Sequence, residues 1–401
     1  MRQTDYSDFI CPIKFCSGAL ALETLPAELR VYNARKPLIL FSNQAVAKGL
    51  IDPVQHAFND SEMVCGIYDG VPEQPTLSTI QEISGLYRKN GHDALIAVGS
   101  GAVSTVSKVV NIAVSCDSPD LKKRQGDDQI HGPLRPFFAV PEASETGLAT
   151  NGFARIDSLS FSSRHLIPDY LAIDPRMVQE TSAEVIADSA MRAFSVASFA
   201  YALPESDYFV DPHAYLAIQT ISENLVPVLT HMNDKKQLKD YLVMNDTEKG
   251  RLALTMAACL GGFLSFARPV GIANRLGEAL SGALSQPSGI LAGLLLPLAL
   301  KVEKTLKGRR PEKLLLAIAG SDIYARTPAS ERGERALSLI RDLTESLFHL
   351  THGAIPRTLS SLGLSKEMGV DAVSRMTADD PELDPKAALE ILDLALSKED
   401  R

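Results

Sequence analysis

The stretch that most constrains the fold is 94–108, where a short apolar run passes through a glycine turn into a helical pattern. The apolar residues 94–98 are followed by Gly99-Ser100-Gly101-Ala102, and an apolar helical period begins at Val103. This order is typical of a buried parallel strand, a tight turn and a helix. Glycines let a ligand approach the backbone, and the free N–H groups of a helix start favour a diphosphate. Small residues at such a turn also serve close packing, so this stretch alone leaves both interpretations open.

Strands alternate with helices in the first part of the chain, whereas the second part has helical patterns alone. Alternation at this spacing indicates βαβ units and a parallel sheet. The predicted strands are 36–43, 63–68, 94–98, 137–141, 153–156 and 170–174. Helices are predicted over 45–58 and over 78–90, the second with the Ser78 hydroxyl as its N-cap. The predicted helices of the second part are 182–202, 212–233, 247–267, 272–285, 289–306, 333–350 and 385–396. We therefore predict an α/β domain over residues 1–176 and an all-α domain over 177–401.

Composition narrows the class of partner. The chain has 401 residues, 45% of them hydrophobic, and a formal net charge of −9 without a dense run of Lys and Arg. This charge argues against nucleic acid or an anionic membrane as a partner and favours a small-molecule substrate. Five cysteines without a Cys-x-x-Cys pair, and no signal peptide, predict free thiols and a cytoplasmic location. The apolar run 288–300 contains Pro297 and has about half the length of a membrane span, so it predicts a buried core helix.

Several segments, in order along the chain, carry a family resemblance. The glycine turn continues to Thr105 and Lys108, a pattern that resembles Gly-Gly-Gly-Ser-x-x-Asp-x-x-Lys of the iron-containing (group III) alcohol dehydrogenases. Four further segments extend the resemblance over nearly the whole chain: 69–76, 140–154, 168–175 and 355–363. The resemblance implies the dehydroquinate synthase-like fold, which joins a Rossmann-like NAD(P)-binding domain to an all-α domain. It also implies a homodimer.

The resemblance assigns NAD or NADP to the first domain. It places Gly99, Ser100, Gly101, Ala102 and Lys108 at the diphosphate, and Thr146 and Gly147 in the loop that wraps the cofactor. Ser42 stands where NAD-preferring members carry an Asp, and a serine permits the 2′-phosphate of NADP. A simple turn role for Ser42 is equally open. Residues 142–149 depart from the family's loop pattern, and Thr105 replaces its Asp, so nucleotide affinity is expected to be weaker or differently arranged.

The metal site is where the sequence departs from the family. Members hold iron or zinc with one Asp and three His, and the four matching positions here are Asp188, Arg192, Asn274 and Ser288, with Glu278 at an intervening His. Neutral Asn and Ser oxygens bind these metals weakly, and a guanidinium has no lone pair to donate. We expect no tightly bound metal. A metal held by Asp188, Glu278 and water is the alternative.

Asp188 and Arg192 are four residues apart on one predicted helix face, so they can form an ion pair in the volume that a metal would occupy. In a catalytic interpretation, Arg192 polarises the substrate oxygen or binds a carboxylate, and Asp188 orients it. In the other interpretation, the pair only satisfies two charges in a partly buried position.

These observations give two hypotheses for function. The first is an NAD(P)-dependent oxidoreductase that reduces an aldehyde or ketone by hydride transfer without a tightly bound metal. A carboxylate-bearing substrate is compatible with this hypothesis. The alternative is a catalytically inactive member of the family that binds a ligand or a partner protein. Neither requires nucleic acid or a membrane.

Overall fold

The computed structural model describes most of the chain. The described residues are 2–3, 10–99, 101–116, 120–142, 147–179, 181–232, 244–379 and 383–397. The chain divides into two compact units: a sheet unit of residues 11–181 and 236–266, and a helical unit of 1–10, 182–235 and 267–401. The predicted boundary at 176/177 lies five residues before the division at 181/182. The segment 236–266, which the prediction gave to the second domain, clusters with the sheet unit.

The strands of the described residues are β1 Arg2–Gln3, β2 Lys14–Ser17, β3 Pro37–Ser42, β4 Gly66–Val71, β5 Ala94–Val98, β6 Gly126–Asp127, β7 Phe137–Val140, β8 Phe153–Ile156, β9 Leu159–Ser162, β10 Tyr170–Ile173 and β11 Glu205–Ser206. The helices are α1 Leu25–Val31, α2 Asn43–Ala47, α3 Ile51–Phe58, α4 Leu77–Asn90, α5 Ala102–Ser115, α6 Ala183–Tyr201, α7 Val210–His231, α8 Asp246–Ala267, α9 Ile272–Leu284, α10 Ser288–Lys307, α11 Leu314–Arg326, α12 Arg332–Leu350, α13 Lys366–Asp379 and α14 Pro385–Leu396.

A six-stranded parallel sheet forms the centre of the sheet unit, in the order β2-β10-β7-β5-β3-β4. Every residue of β5 is buried, as expected for a strand covered on both faces by helices. The register pairs Phe41 with Val98 and Val98 with Val140. The carboxyl ends of β3, β5 and β7 therefore lie side by side at one edge. The predicted fold class, an α/β nucleotide-binding domain with an all-α domain, is confirmed.

Three local predictions in the sheet unit were wrong. Strand β8 lies outside the central sheet and forms an antiparallel hairpin with β9, because its side chains alternate between exposed and buried as in a sheet with one solvated face. The single helix predicted over 45–58 is two helices, separated at Gly49, whose φ is +71°. Helix α4 is capped by Thr76 in a capping box with Thr79, and not by Ser78.

The helices predicted after residue 181 agree closely with the structure, in which α8 belongs to the sheet unit and the others to the helical unit. All seven are present, with ends shifted by at most two residues, and the chain between them also forms α11 and α13. Helix α11 was missed because Gly320, at φ +78°, interrupts its apolar pattern. Helix α13 was missed because its buried apolar stripe, Ala372, Val373 and Met376, is narrow.

Long apolar helices of both units are core elements. Most of α10 is buried, which agrees with the prediction of a core helix for 288–300. By length and composition, one helix of the described residues, α8, could cross a membrane, but 61% of its most apolar window is buried within the protein. A mostly buried helix of this kind is typical of a protein core.

Candidate functional site

The glycine turn stands at the carboxyl end of β5 and opens α5. Gly99 has φ +127° and Gly101 has φ +58°, conformations that L side chains rarely adopt. Gly101 is the N-cap of α5, no side chain caps the helix there, and a Cβ at Gly101 would meet no atom within 4 Å. The backbone therefore leaves an open helix start, which fits the diphosphate of a dinucleotide. Ala102 is the first residue of α5, and Ser100 lies outside the described residues.

Ser42 ends β3 beside this turn. Its Oγ accepts a hydrogen bond from the backbone N–H of Ala45 at 2.9 Å and so caps α2. A Cβ built on Gly99 would lie 3.6 Å from Ser42 Oγ. Ser42 therefore serves the turn and also faces the position at which the dinucleotide was predicted.

Glu142, just after β7, approaches the same point, although in the sequence it stands out only as a departure from the family pattern. Its side chain is 3% exposed, and its Oε2 accepts from Lys48 Nζ at 2.7 Å. Its other oxygen, Oε1, lies 3.6 Å from the Cβ position of Gly99. The edge of the sheet thus carries a buried carboxylate with its own counter-ion.

Lys108 projects from α5 and is 1% exposed. Its Nζ donates to the backbone oxygens of Leu148, Asn151 and Phe153 at 2.5, 2.7 and 3.2 Å, and to Asn151 Oδ1 at 2.9 Å. An ammonium has three protons, so one of them is shared between two acceptors. Lys108 was predicted to contact the cofactor. In the structure, its hydrogen bonds hold the loop at 148–153, which follows β7.

Gly147 packs this loop onto α8. Its φ is +83°, and a Cβ there would lie 2.7 Å from Gly262 Cα. Thr150 Oγ1 adds a hydrogen bond to the carbonyl oxygen of Cys259 at 2.6 Å. Gly147, predicted to line the cofactor, is held by backbone-to-backbone packing, and Thr146 lies outside the described residues. The pair Gly261-Gly262 in α8 was the sequence signal for this close approach.

In the helical unit, α6, α9 and the start of α10 bring the degenerate metal-ligand positions together as one polar cluster. Arg192 donates through Nη1 to Ser288 Oγ at 2.9 Å and through Nη2 to Glu278 Oε1 at 2.5 Å. Asn274 Nδ2 donates to the carbonyl oxygen of Arg192 at 3.3 Å, and Asn274 Oδ1 accepts from Ser195 Oγ at 2.7 Å.

Asp188 completes the polar cluster from α6 but does not form the predicted ion pair. Its Oδ1 accepts from the backbone N–H groups of Gly289 and Ile290 at 2.7 and 3.1 Å, so it caps α10. Among the described residues the ion-pair partner of Arg192 is Glu278, on another helix. Burial raises the pKa of Asp188, against the lowering effect of these two N–H groups and of Arg192.

These residues do not fit an iron or zinc ion. Three of the oxygens that could bind a metal already accept a hydrogen bond from the protein. They are in the carboxylate of Asp188, the amide of Asn274 and the hydroxyl of Ser288. Arg192 brings a fixed positive charge and no lone pair. Within the part of the chain that the structure describes, no three His, Cys, Asp or Glu side chains are grouped as metal ligands.

Comparison with known proteins identifies the relatives of this chain. The family profile described as "Iron-containing alcohol dehydrogenase" matches residues 12–175. The "1,3-propanediol dehydrogenase" of Klebsiella pneumoniae is 22% identical over 384 residues, which cover 93% of this chain and 92% of that protein.

Solved structures show the same fold over the whole length. A crystal structure of 1,3-propanediol oxidoreductase has a TM-score of 0.83 at 18% identity and covers 97% of this chain and 100% of its own. Sulfoacetaldehyde reductase from Bifidobacterium kashiwanohense, solved in complex with NAD+, has a TM-score of 0.77 at 15% identity and covers 98% and 100%. The resemblance predicted from the sequence is confirmed.

Proposed function

We propose that this relative of the iron-containing alcohol dehydrogenases is an NAD(P)-dependent oxidoreductase that reduces an aldehyde or ketone without a tightly bound metal. Its relationship to alcohol and propanediol dehydrogenases supports oxidoreduction of this class of compound. The observation that carries the metal-free part is the polar cluster, in which Arg192 is bonded to Ser288 and Glu278 where relatives would hold a cation.

The sheet unit supplies the residues for the dinucleotide. The open start of α5 at Gly101 and the turn at Gly99 would hold the diphosphate. Ser42 would face the ribose that carries, in NADP, the 2′-phosphate. When bound, the nicotinamide would donate hydride to the carbonyl carbon. Gly147 and Lys108 would act by fixing the loop beside the turn, rather than by direct contact.

Arg192 is the residue proposed to act on the substrate. Its side chain is 24% exposed, and its guanidinium donates to Ser288 and Glu278. A guanidinium can bind a carboxylate through two N–H groups or stabilise a developing alkoxide. The positive charge of Arg192 favours a carboxylate-bearing substrate, whose carboxylate would bind the guanidinium beside Glu278 or in its place. Asp188 keeps α10, and with it Ser288, in place beside Arg192.

The first experiment is a fluorescence titration of the purified chain with NADH and with NADPH, followed by turnover of a panel of aldehydes with and without a carboxylate. We expect binding of at least one dinucleotide, and faster turnover of the carboxylate-bearing aldehydes. Arg192→Met should abolish turnover and leave dinucleotide binding intact. Arg326→Met, at an exposed position of α11, removes the same charge and should change neither.

Elemental analysis after purification tests the metal-free part. Iron or zinc well below one per chain, with turnover unaffected by chelators, is expected. A stoichiometric metal that is needed for turnover would contradict it and favour coordination by Asp188, Glu278 and water. Binding of dinucleotide without turnover of any carbonyl would favour the alternative, a ligand-binding member of the family that has lost catalysis.

The proposed function also includes a cellular location, an oligomeric state and a class of partner. We propose a cytoplasmic enzyme with a small-molecule substrate, assembled as a homodimer, with neither nucleic acid nor a membrane as partner. The net charge of −9 supports the last point. Light scattering at known concentration tests the dimer.

A further inference from the structure

An ion pair stands across the glycine turn of the sheet unit. Strand β5 lies between β3 and β7 in the sheet, so Gly99 emerges between Ser42 on one side and Glu142 on the other. Lys48 follows α2 on the β3 side, and its Nζ reaches Glu142 on the β7 side at 2.7 Å. The Lys48–Glu142 pair thus connects the two neighbours of β5 across the end of that strand.

The carboxylate of this pair is close to the turn itself. The Cβ position of Gly99 is 3.6 Å from Glu142 Oε1, 3.6 Å from Ser42 Oγ and 3.6 Å from a methyl carbon of Val103, in the first turn of α5. Glu142 is almost wholly buried, so water screens its charge poorly. The space beside the turn therefore already contains one negative charge.

A diphosphate meets this charge at short range. A helix start and a lysine are the groups that attract it, but a buried carboxylate beside them repels it and also engages the lysine. Like charges in one desolvated site disfavour each other, whereas a released ammonium would favour the anion. The two side chains therefore oppose each other in their effect on the cofactor.

We propose that Glu142 is a specificity-determining residue that limits the affinity of the glycine turn for dinucleotides, by repelling the diphosphate and by keeping Lys48 engaged. The inference rests on the proposed use of the turn as a dinucleotide site. It implies that Glu142 discriminates against ligands by the charge that they place over Gly99. Lys48 is the group that a diphosphate gains once the carboxylate is neutral.

The test is a binding titration of the full-length chain with two probes, NADH and ADP-ribose, which share the diphosphate and differ in the nicotinamide. Glu142→Gln is expected to bind both about tenfold tighter or more, the scale of one charge in a partly screened site. Lys48→Met/Glu142→Gln is expected to lose that gain. Glu82→Gln, at an exposed residue of α4, changes the net charge equally and should leave both affinities unchanged. If Glu142→Gln does not fold, Glu142→Thr removes the charge with a smaller side chain.

Four outcomes separate this inference from the proposed function. If the wild type binds NADH and the Glu142 variant binds it tighter, both stand. If the wild type binds and the variant binds equally or more weakly, the inference fails and the function stands. If only the variant binds, and the wild type binds NADPH no better than NADH, the inference stands and the proposed function fails, because the native carboxylate excludes the cofactor. If neither protein binds NADH or NADPH, both fail.

Discussion

Replacing Lys108 with Met tests whether one buried ammonium organises the loop at 147–153. Its Nζ donates to the backbone oxygens of Leu148, Asn151 and Phe153 and to Asn151 Oδ1, and the side chain is 1% exposed. Methionine fills a similar volume but supplies no donor, so the three backbone oxygens lose this hydrogen bond, while Asn151 Oδ1 keeps the N–H of Phe153. Each buried acceptor left unpaired costs about 1–3 kcal/mol.

The net loss is smaller than that sum, since the variant no longer buries a charge, whose desolvation costs several kcal/mol. We therefore expect the free energy of unfolding of the sheet unit to fall by about 3 kcal/mol. Urea denaturation followed by far-UV circular dichroism measures it, and amide hydrogen exchange over 147–153 reports the loop directly. Exchange in this loop should rise more than in β5.

Lys89→Met is the matched control, because Lys89 is exposed on α4 and its loss should change the free energy of unfolding by less than about 0.5 kcal/mol. Should the Lys108 variant unfold at the same urea concentration as this control, with unchanged exchange over 147–153, the loop would be held by its packing on α8 and not by the ammonium.

Three further predictions follow from close contacts in both units. Gly262→Ala places a Cβ 2.0 Å from the carbonyl oxygen of Gly147 and should cost about 2 kcal/mol or more in urea denaturation, whereas Gly85→Ala, with no atom within 4 Å, should stabilise by up to about 1 kcal/mol; equal effects would contradict the close packing. Asp188→Ala removes the acceptor for two N–H groups of α10 and should lower the free energy of unfolding by about 2 kcal/mol, twice the effect of Ser182→Ala at the exposed cap of α6. Burial lowers the pKa of His92, so the unfolded chain binds its proton more readily and stability should fall as the pH drops below about 6.5; His92→Gln should flatten that part of a thermal-shift profile, and an unchanged slope would exclude His92 as the cause.

The fold could be predicted from the sequence wherever a local pattern decides it. The all-buried run of β5 and the amphipathic helices of the helical unit follow from hydrophobic periodicity alone. Strand β8 was misplaced because an alternating pattern identifies a strand with one solvated face, but not the sheet in which it pairs. Helix α8 belongs to the sheet unit, where Gly262 packs against Gly147, a residue more than a hundred positions away along the chain, and local patterns do not reveal such a contact.

The sequence predicted which residues form the candidate site, but not which of them bond to each other. Family resemblance located Asp188, Arg192, Asn274 and Ser288, and the structure places them in one cluster. Spacing on one helix suggested an Asp188–Arg192 pair. In the structure, Asp188 instead accepts hydrogen bonds from the first N–H groups of α10, and Arg192 forms its ion pair with Glu278. The capping of α10 by Asp188 could not be predicted from the sequence, because it depends on how α6 packs against α10.

The polar cluster lacks the net positive charge that a metal would have provided. A divalent ion with one aspartate leaves a net positive charge, whereas the charge of Arg192 is here balanced by Glu278, with Asp188 beside them. Burial opposes ionisation of Asp188, but Glu278 remains bonded to the guanidinium. The Arg192 guanidinium has five N–H groups, and its hydrogen bonds to Ser288 and Glu278 use two of them. Under the proposed function, a substrate carboxylate would therefore bind Arg192 either through the remaining N–H groups or in place of Glu278.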